Sequence, residues 1–356
     1  MGELPAELPR RRGPEAPARP APAAAGSTTS SARPRGPARH FAALDLGTNN
    51  CRLLIARPQG DGFAVVDAFS RIVRLGEGLA TTGRLSDAAI ERTIAALRVC
   101  ADKLKRRNVT LARSVATEAC RRATNGQAFM ERVLRETGIH LDIISAEEEA
   151  RLAVLGCHVL LEPGDGPALV FDIGGGSTEL VLIDTGSPVP TVKDWHSAPW
   201  GVVSLTESVG GVTGDAAARA GTYARMRALV AESFAPFAAR LPRAEALGGR
   251  PPRLLGTSGT VTTLASVHLK LERYDRAQVD GLIAPAAAMR RISQDLAGMS
   301  LAERAELPCI GRERADLVVA GCAILEGILD LWPAERLGVA DRGIREGILR
   351  RLMETS

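Results

Sequence analysis

Three glycine-bearing stretches hold the residues best able to do chemistry: DLGTNN at 45–50, DIGGGST at 172–178 and LLGTSGT at 254–260. Glycine lacks a Cβ and tolerates unusual φ, so successive N–H groups can close on an anion. Gly47 with Thr48, Asn49 and Asn50 supplies one such set of donors, and Gly174, Gly175 and Gly176 with Ser177 and Thr178 supply a second. Gly256, Ser258 and Gly259 form a third at a strand-to-helix junction, where a helix N-terminus also favours anions. Asp45 and Asp172 end the strands that enter the first two loops. A carboxylate repels phosphate, so Asp172 makes sense as a ligand of Mg2+, with Mn2+ as the alternative, bridging to phosphate oxygens. One glycine turn is a weak signal. Three after strands, two with aspartate in register, point to phosphate.

The elements that must position these loops repeat. FAALDLG, CRLLIARP and FAVVDAFSRIVR read as three strands, followed by a helix capped by Ser86, a strand TLARSVAT, a helix ended by Gly138, a strand LDIIS and the helix AEEEARLAVLGCHVLL. After the breaker cluster EPGDGP at 162–167, ALVFDIGG, TELVLID and PVPTVKDWHSAPW open a second half in the same way. Overlaid without a gap, Asp45 falls on Asp172 and Gly47 on Gly174. Self-similarity at that long a period predicts duplicated domains, here an α/β fold of two βββαβα domains flanking a cleft, over 41–160 and 161–356.

Residues 1–40 are rich in Pro, Ala, Arg and Ser, without a periodic apolar face, and predict a disordered tail. The tail carries seven Arg and three Glu, which accounts for the whole net charge of +4. The remaining 38 basic and 38 acidic residues balance, so composition gives no sign of a specific nucleic-acid partner. Six scattered Cys without a CxxC pair predict small core residues, not a disulfide framework or zinc site. The most apolar run, 315–332, is interrupted by Asp316, Glu326 and Asp330 and predicts a buried helix, with no membrane span and a cytoplasmic location.

The phosphate loops look like those of the acetate and sugar kinase/Hsp70/actin superfamily. VATEACRRATNG at 115–126, IISAEEEARLAVLG at 143–156, RLGEGL at 74–79, GRERADLVVAGCAIL at 311–325 and VADRGIREGIL at 339–349 narrow this, being similar to the exopolyphosphatase/guanosine pentaphosphate phosphohydrolase (Ppx/GppA) family. The resemblance runs over about 41–352, and the chain looks like a short, two-domain member. It implies ribonuclease-H-like (actin-like ATPase) domains and Mg2+-dependent hydrolysis of terminal phosphate from polyphosphate. The alternatives are 5′-phosphohydrolysis of pppGpp, or an alarmone-binding sensor with little turnover. A homodimer is expected by the same resemblance.

The resemblance marks Glu149, just before Ala-Arg-Leu, as the base that activates water. The residue pattern alone also fits an ordinary helix start, with Ser145 and Glu148 as a capping box and Glu147–Arg151 as an i,i+4 pair. Glu179 either reaches the cleft to hold metal or orient water, or faces solvent from its strand. Arg121 matches an arginine expected on phosphate, Thr117 is a further donor at a strand end, and Arg74 adds charge along a channel. Ser204 stands where many short members carry an arginine, which puts affinity for long chains in question.

Overall fold

The computed structural model describes residues 39–187, 189–242 and 252–355; the predicted tail therefore lies outside the described residues, apart from its last two. The first half runs β1 (His40–Leu46), β2 (Asn50–Gln59), β3 (Gly62–Ile72), α1 (Leu79–Thr82), α2 (Asp87–Arg106), β4 (Val109–Ala116), α3 (Glu118–Arg122), α4 (Gly126–Thr137), β5 (Asp142–Ile143) and α5 (Ala146–Cys157). Its five strands form one sheet in the order β3-β2-β1-β4-β5. The first three pair antiparallel, and β4 and β5 add in parallel. That is the ribonuclease-H-like arrangement.

The second half repeats it with β6 (Ala168–Ile173), β7 (Thr178–Asp184), β8 (Thr191–Ala198), α6 (Val202–Val209), α7 (Ala216–Ala238), β9 (Arg253–Thr257), α8 (Gly259–His268), α9 (Arg276–Val279), β10 (Ile283–Pro285), α10 (Ala286–Gly298), α11 (Leu301–Glu306), α12 (Val318–Leu331), β11 (Arg336–Ala340) and α13 (Ile344–Glu354). The sheet order is β10-β11-β9-β6-β7-β8, so the three-residue β10 is an added edge strand. The short α1, α3 and β10 carry too few residues to show a period in the sequence.

Both faces of each sheet are covered. In β1, Ala42 and Leu44 pack with α2 and α4 residues such as Ile94 and Phe129. Phe41 and Ala43, on the opposite face of the pleat, meet Leu152 of α5 and Ile348 of α13. The last helix therefore packs against the first sheet. It crosses α5 closely because Gly156 faces the Gly343 backbone and Gly347 faces that of Leu152, leaving no room for a Cβ at either contact. Helix α5 also packs on the second sheet, through Ala150, Val154 and Cys157 against Val170 and Val181. It thus stands between the sheets with its N-terminal turn, and Glu149, beside both sets of loops.

Local signals mostly hold. Ser86 accepts from the Ala89 N–H, and Gly138 ends α4 at φ 70°. Ser145 accepts from the Glu148 N–H, but only half of the predicted capping box forms, because the Glu148 carboxylate turns to Arg113 at 2.7 Å. The apolar run becomes α12, with Glu326 fully buried against Tyr223, Arg227 and Arg290. Among the described residues no helix is long and apolar enough to cross a membrane. All six cysteines are free, five of them buried.

Candidate active site

Strands β1, β6 and β9 deliver the three glycine stretches to one cleft, at the carboxyl ends of parallel strands where α/β sheets bind ligands. The cleft has a cavity of about 130 Å3. Asp45, Gly47, Thr48, Asn49, Asn50, Thr117, Glu149, Asp172, Gly174–Gly176, Ser177, Glu179, Ser258 and Gly259 all line it. Three candidates do not. Thr178 is buried in β7, donating to the Trp200 carbonyl at 2.7 Å. Gly256 lies under the Phe171 ring, where a Cβ would collide. Arg121 stands one layer behind, holding Glu149.

The first two loops are braced by the same device. In the first, the Asn49 carbonyl accepts from Val73 and Arg74 N–H at 2.9 and 3.0 Å, and the Thr48 carbonyl from Gly76 N–H at 2.9 Å. In the second, the Gly174 carbonyl accepts from Val202 N–H at 2.9 Å and the Gly175 carbonyl from Val203 and Ser204 N–H at 2.8 and 3.2 Å. Ser204 Oγ adds a bond to the Gly176 carbonyl at 3.1 Å. The loop carbonyls are thus occupied from behind. The N–H groups of Thr48, Asn49, Gly175, Gly176 and Ser177 find no partner among the described residues. Such a set of free donors is an anion nest. Ser204, expected as a lost arginine contact, is part of a brace. Arg74 serves a brace too, its guanidinium paired with Asp316 at 3.0 Å and not free along a channel.

The third loop is strained. Ser258 has φ 97° and ψ 176°, a region that is essentially glycine's own, and its buried hydroxyl has no partner. Ser258→Gly is expected to raise stability by about 1 kcal/mol, the strain relieved exceeding the added backbone entropy; thermal unfolding of the two proteins checks it.

Four carboxylates converge on the cleft. Asp172 and Glu179 pair across β6 and β7, and Glu179 accepts from Ser197 at 2.9 Å. Glu179 is 2% exposed, which excludes the solvent-facing alternative. Burial, and then the neighbouring Asp172, pushes its pKa up to about 7; burial and Asp45 push Asp172 up to about 6. Burial likewise raises Asp45, whose Oδ1 has no hydrogen-bond partner. Glu149, 7% exposed, is raised well above the carboxylate range by burial and by Glu179. Arg121 opposes that rise, donating from both terminal nitrogens to Glu149 Oε2 at 3.2 Å while also binding Glu118 and the Ile144 carbonyl.

Two arginines absent from the sequence reading enter the cleft. Arg52 pairs with Asp45 across β1 and β2 as Glu179 pairs with Asp172 across β6 and β7. It makes no hydrogen bond or ion pair among the described residues. The overlay that places Asp45 on Asp172 also places Arg52 on Glu179, so the signal was present in the repeat. Arg314 enters on the loop before α12 and bonds Thr263 at 3.2 Å. That loop is anchored by Arg304, 1% exposed, which donates to the carbonyls of Ala315 and Met299 at 2.9 and 2.8 Å.

The donor set fits Mg2+. No three Asp, Glu, His or Cys side chains form a closed metal cage among the described residues. Mg2+, however, is ordinarily held by one or two carboxylates with water and phosphate oxygens completing the shell. Asp172 and Glu179, with the unpartnered Asp45 oxygen nearby, are hard ligands whose raised pKa values a cation would relieve.

The raised values set a pH dependence. Between the ordinary carboxylate range and about 7 the folded protein binds more protons than the unfolded chain, so this site loses stability as pH rises. Chelator-treated protein is expected to melt several degrees lower at pH 7.5 than at pH 5.5. Mg2+ should raise the melting temperature more at pH 7.5, and Glu179→Gln should flatten the slope. Equal slopes in the two proteins would place the pH dependence elsewhere.

Comparison with known proteins gives the same direction. A sequence model of the Ppx/GppA phosphatase family matches residues 54–356. An Exopolyphosphatase 2 of Mycobacterium tuberculosis is 33% identical over 321 residues, 86% of this chain and 96% of its own. A guanosine-5'-triphosphate,3'-diphosphate pyrophosphatase of Aeromonas hydrophila is 30% identical, over 88% of this chain but 59% of its own. The solved Ppx/GppA family member of Aquifex aeolicus matches with a TM-score of 0.72 at 29% identity, covering 90% of this chain and 99% of its own.

Proposed function

Since the chain belongs to the Ppx/GppA phosphatase family and is therefore a phosphoanhydride hydrolase, we propose that it is an exopolyphosphatase, releasing terminal phosphate from inorganic polyphosphate by attack of water that Glu149 activates. The observation that carries this is the placement of Glu149. Its carboxylate is buried, raised in pKa, held through one oxygen by Arg121, and set in the wall of the cleft that the loops' unpartnered N–H groups line. A carboxylate whose pKa is raised by burial and by Glu179 is a stronger base toward water than an ordinary exposed one.

The terminal phosphoryl group lies between the first two loops, whose free N–H groups and the Thr48 and Ser177 hydroxyls hold its oxygens. Glu149 accepts the proton of the attacking water, the water oxygen bonds to the terminal phosphorus as the bond to the bridging oxygen breaks, and the bridging oxygen stays on the shortened chain with the negative charge. Arg52 and Arg314 offset charge on the phosphates, and Arg121 keeps Glu149 aimed. Mg2+, held by Asp172 and Glu179, supplies positive charge to the phosphate oxygens when bound.

Backbone donors, hydroxyls and two arginines suit a plain chain of phosphates, and among the described residues the cleft wall holds no aromatic side chain on which a guanine would stack. The second reading, pppGpp 5′-phosphohydrolysis, draws on relatives of that name and on Leu317 and Val318, an apolar strip beside Arg314. Phosphate release from long polyphosphate, short polyphosphate and pppGpp under matched conditions separates the two. Turnover of pppGpp alone would replace the first reading with the second, and tight binding without release over hours would replace both with a sensor.

A further inference from the structure

The cleft does not end at its carboxylates. A second cavity of about 40 Å3 shares Asp45, Arg52, Asp172, Ser258 and Ile344 with it and is otherwise walled by Thr257, Asp341, Arg342, Gly343 and Arg345. In the same measure a single water needs about 10–15 Å3, so the chamber has room for more than one.

Its lining has unmet hydrogen-bonding capacity. Arg345 is almost enclosed, its side chain 14% exposed, yet it donates no hydrogen bond among the described residues, and its nearest carboxylate oxygen is Glu346 Oε1 at 3.9 Å. Arg52 is equally unengaged, and the Ser258 hydroxyl is buried without a partner, on a residue strained into place. At the start of the eleven-residue α13 the Gly343 N–H is taken by the Glu346 carboxylate at 2.9 Å, which leaves the Ile344 N–H of the first turn as the backbone donor beside the chamber. Three guanidinium groups, those of Arg52, Arg342 and Arg345, stand against the carboxylates of Asp45, Asp172 and Asp341 in this lining, and the donors left without acceptors, Arg52, Arg345 and the Ser258 hydroxyl, suit an oxyanion. Arg342 and Asp341, at 36% and 25% exposure, form a rim toward solvent.

We propose that this rear chamber is a binding station for inorganic phosphate, through which the hydrolysis product leaves while the shortened chain remains in the cleft. The inference rests on the hydrolase reading above and adds to it a route. A polymer filling the cleft blocks the way the product would otherwise take. A separate exit lets the chain advance without dissociating.

The full chain carrying Arg345→Gln, Arg345→Lys or Arg342→Ala tests this, with inorganic phosphate as the probe. Arg345→Gln is expected to weaken phosphate inhibition about tenfold or more, with the single-turnover cleavage rate within about threefold of the parent. Products from long polyphosphate should change from phosphate plus intact chains to a ladder of intermediate lengths. Arg345→Lys should fall between. Arg342→Ala, at the rim, should slow steady-state turnover more than single turnover, and it serves if Arg345→Gln fails to fold. A crystal grown with phosphate should show it against Arg345 and Ser258. Unchanged inhibition and product lengths in folded variants, or phosphate bound only against the glycine loops, would overturn the proposal. If the parent releases no phosphate from polyphosphate, the hydrolase reading is what has failed. Calorimetric binding of phosphate to the parent and to Arg345→Gln then still decides the chamber: a tenfold difference supports the site, and equal affinity sinks it.

Discussion

Glu149→Gln is expected to fold normally and lose about 10²–10⁴ in turnover for phosphate release, the range a general base contributes. The amide keeps the side chain's size and can still accept from Arg121, but it cannot take a proton from water. Substrate affinity should change little, because the loops and arginines proposed to hold phosphate are untouched, and removing one negative charge from the cleft works slightly in its favour. Turnover within about threefold of the parent would remove Glu149 from the role.

The neighbouring glutamates make the experiment specific. Glu147 is paired with Arg151 at 2.7 Å on the exposed side of α5. Glu148 is bound by Arg113 at 2.7 Å, with Arg351 at 3.7 Å. Both are committed to structure, so Glu147→Gln and Glu148→Gln should cost at most a few-fold in rate. Three consecutive acids on one helical turn point in different directions, and only Glu149 is buried toward the other carboxylates.

Much of this was legible in the chain because the chemistry repeats. The two aspartates in register, the glycines behind them and the strand pattern are local features, and local features survive in sequence. Arg52 was legible in principle, since it occupies in the first hairpin the position that Glu179 occupies in the second. Its role is hidden in the residue types because the pairing across a hairpin shows only once strand register is known. Arg314 had no comparable signal. Its position depends on the buried Arg304 holding a loop through carbonyls, a tertiary arrangement with no period. The motif RLGEGL was visible but its job was not. Its contribution is made largely by backbone N–H groups that tie down the first loop, and backbone bonds leave no mark on residue type beyond glycine.

That bracing logic yields the second large effect. Gly201→Ala is expected to lower kcat/KM by about 10²-fold while the fold survives with a loss of about 1–3 kcal/mol. Gly201 has φ −119° and ψ −178°, extended backbone that alanine adopts freely, so conformational strain is not the cause. The cause is space: a Cβ there would lie 2.5 Å from the Gly175 carbonyl oxygen and the Gly176 nitrogen. Something must move, and α6 is tied to that same loop by three backbone bonds and by Ser204, so the displacement passes into the donors that face the phosphate. A shift approaching 1 Å in such groups is worth about 10²-fold in rate. Gly221→Ala is the control. It sits on the exposed side of α7 with nothing near its Cβ position, and alanine there should be neutral or stabilise by up to about 1 kcal/mol. Steady-state phosphate release and thermal unfolding of the two variants separate a general intolerance of α6 and α7 to alanine from a loop pushed off its ligand. Parallel, small changes in both would mean that the second loop absorbs the methyl group and that its position is less critical to the chemistry than its bracing implies.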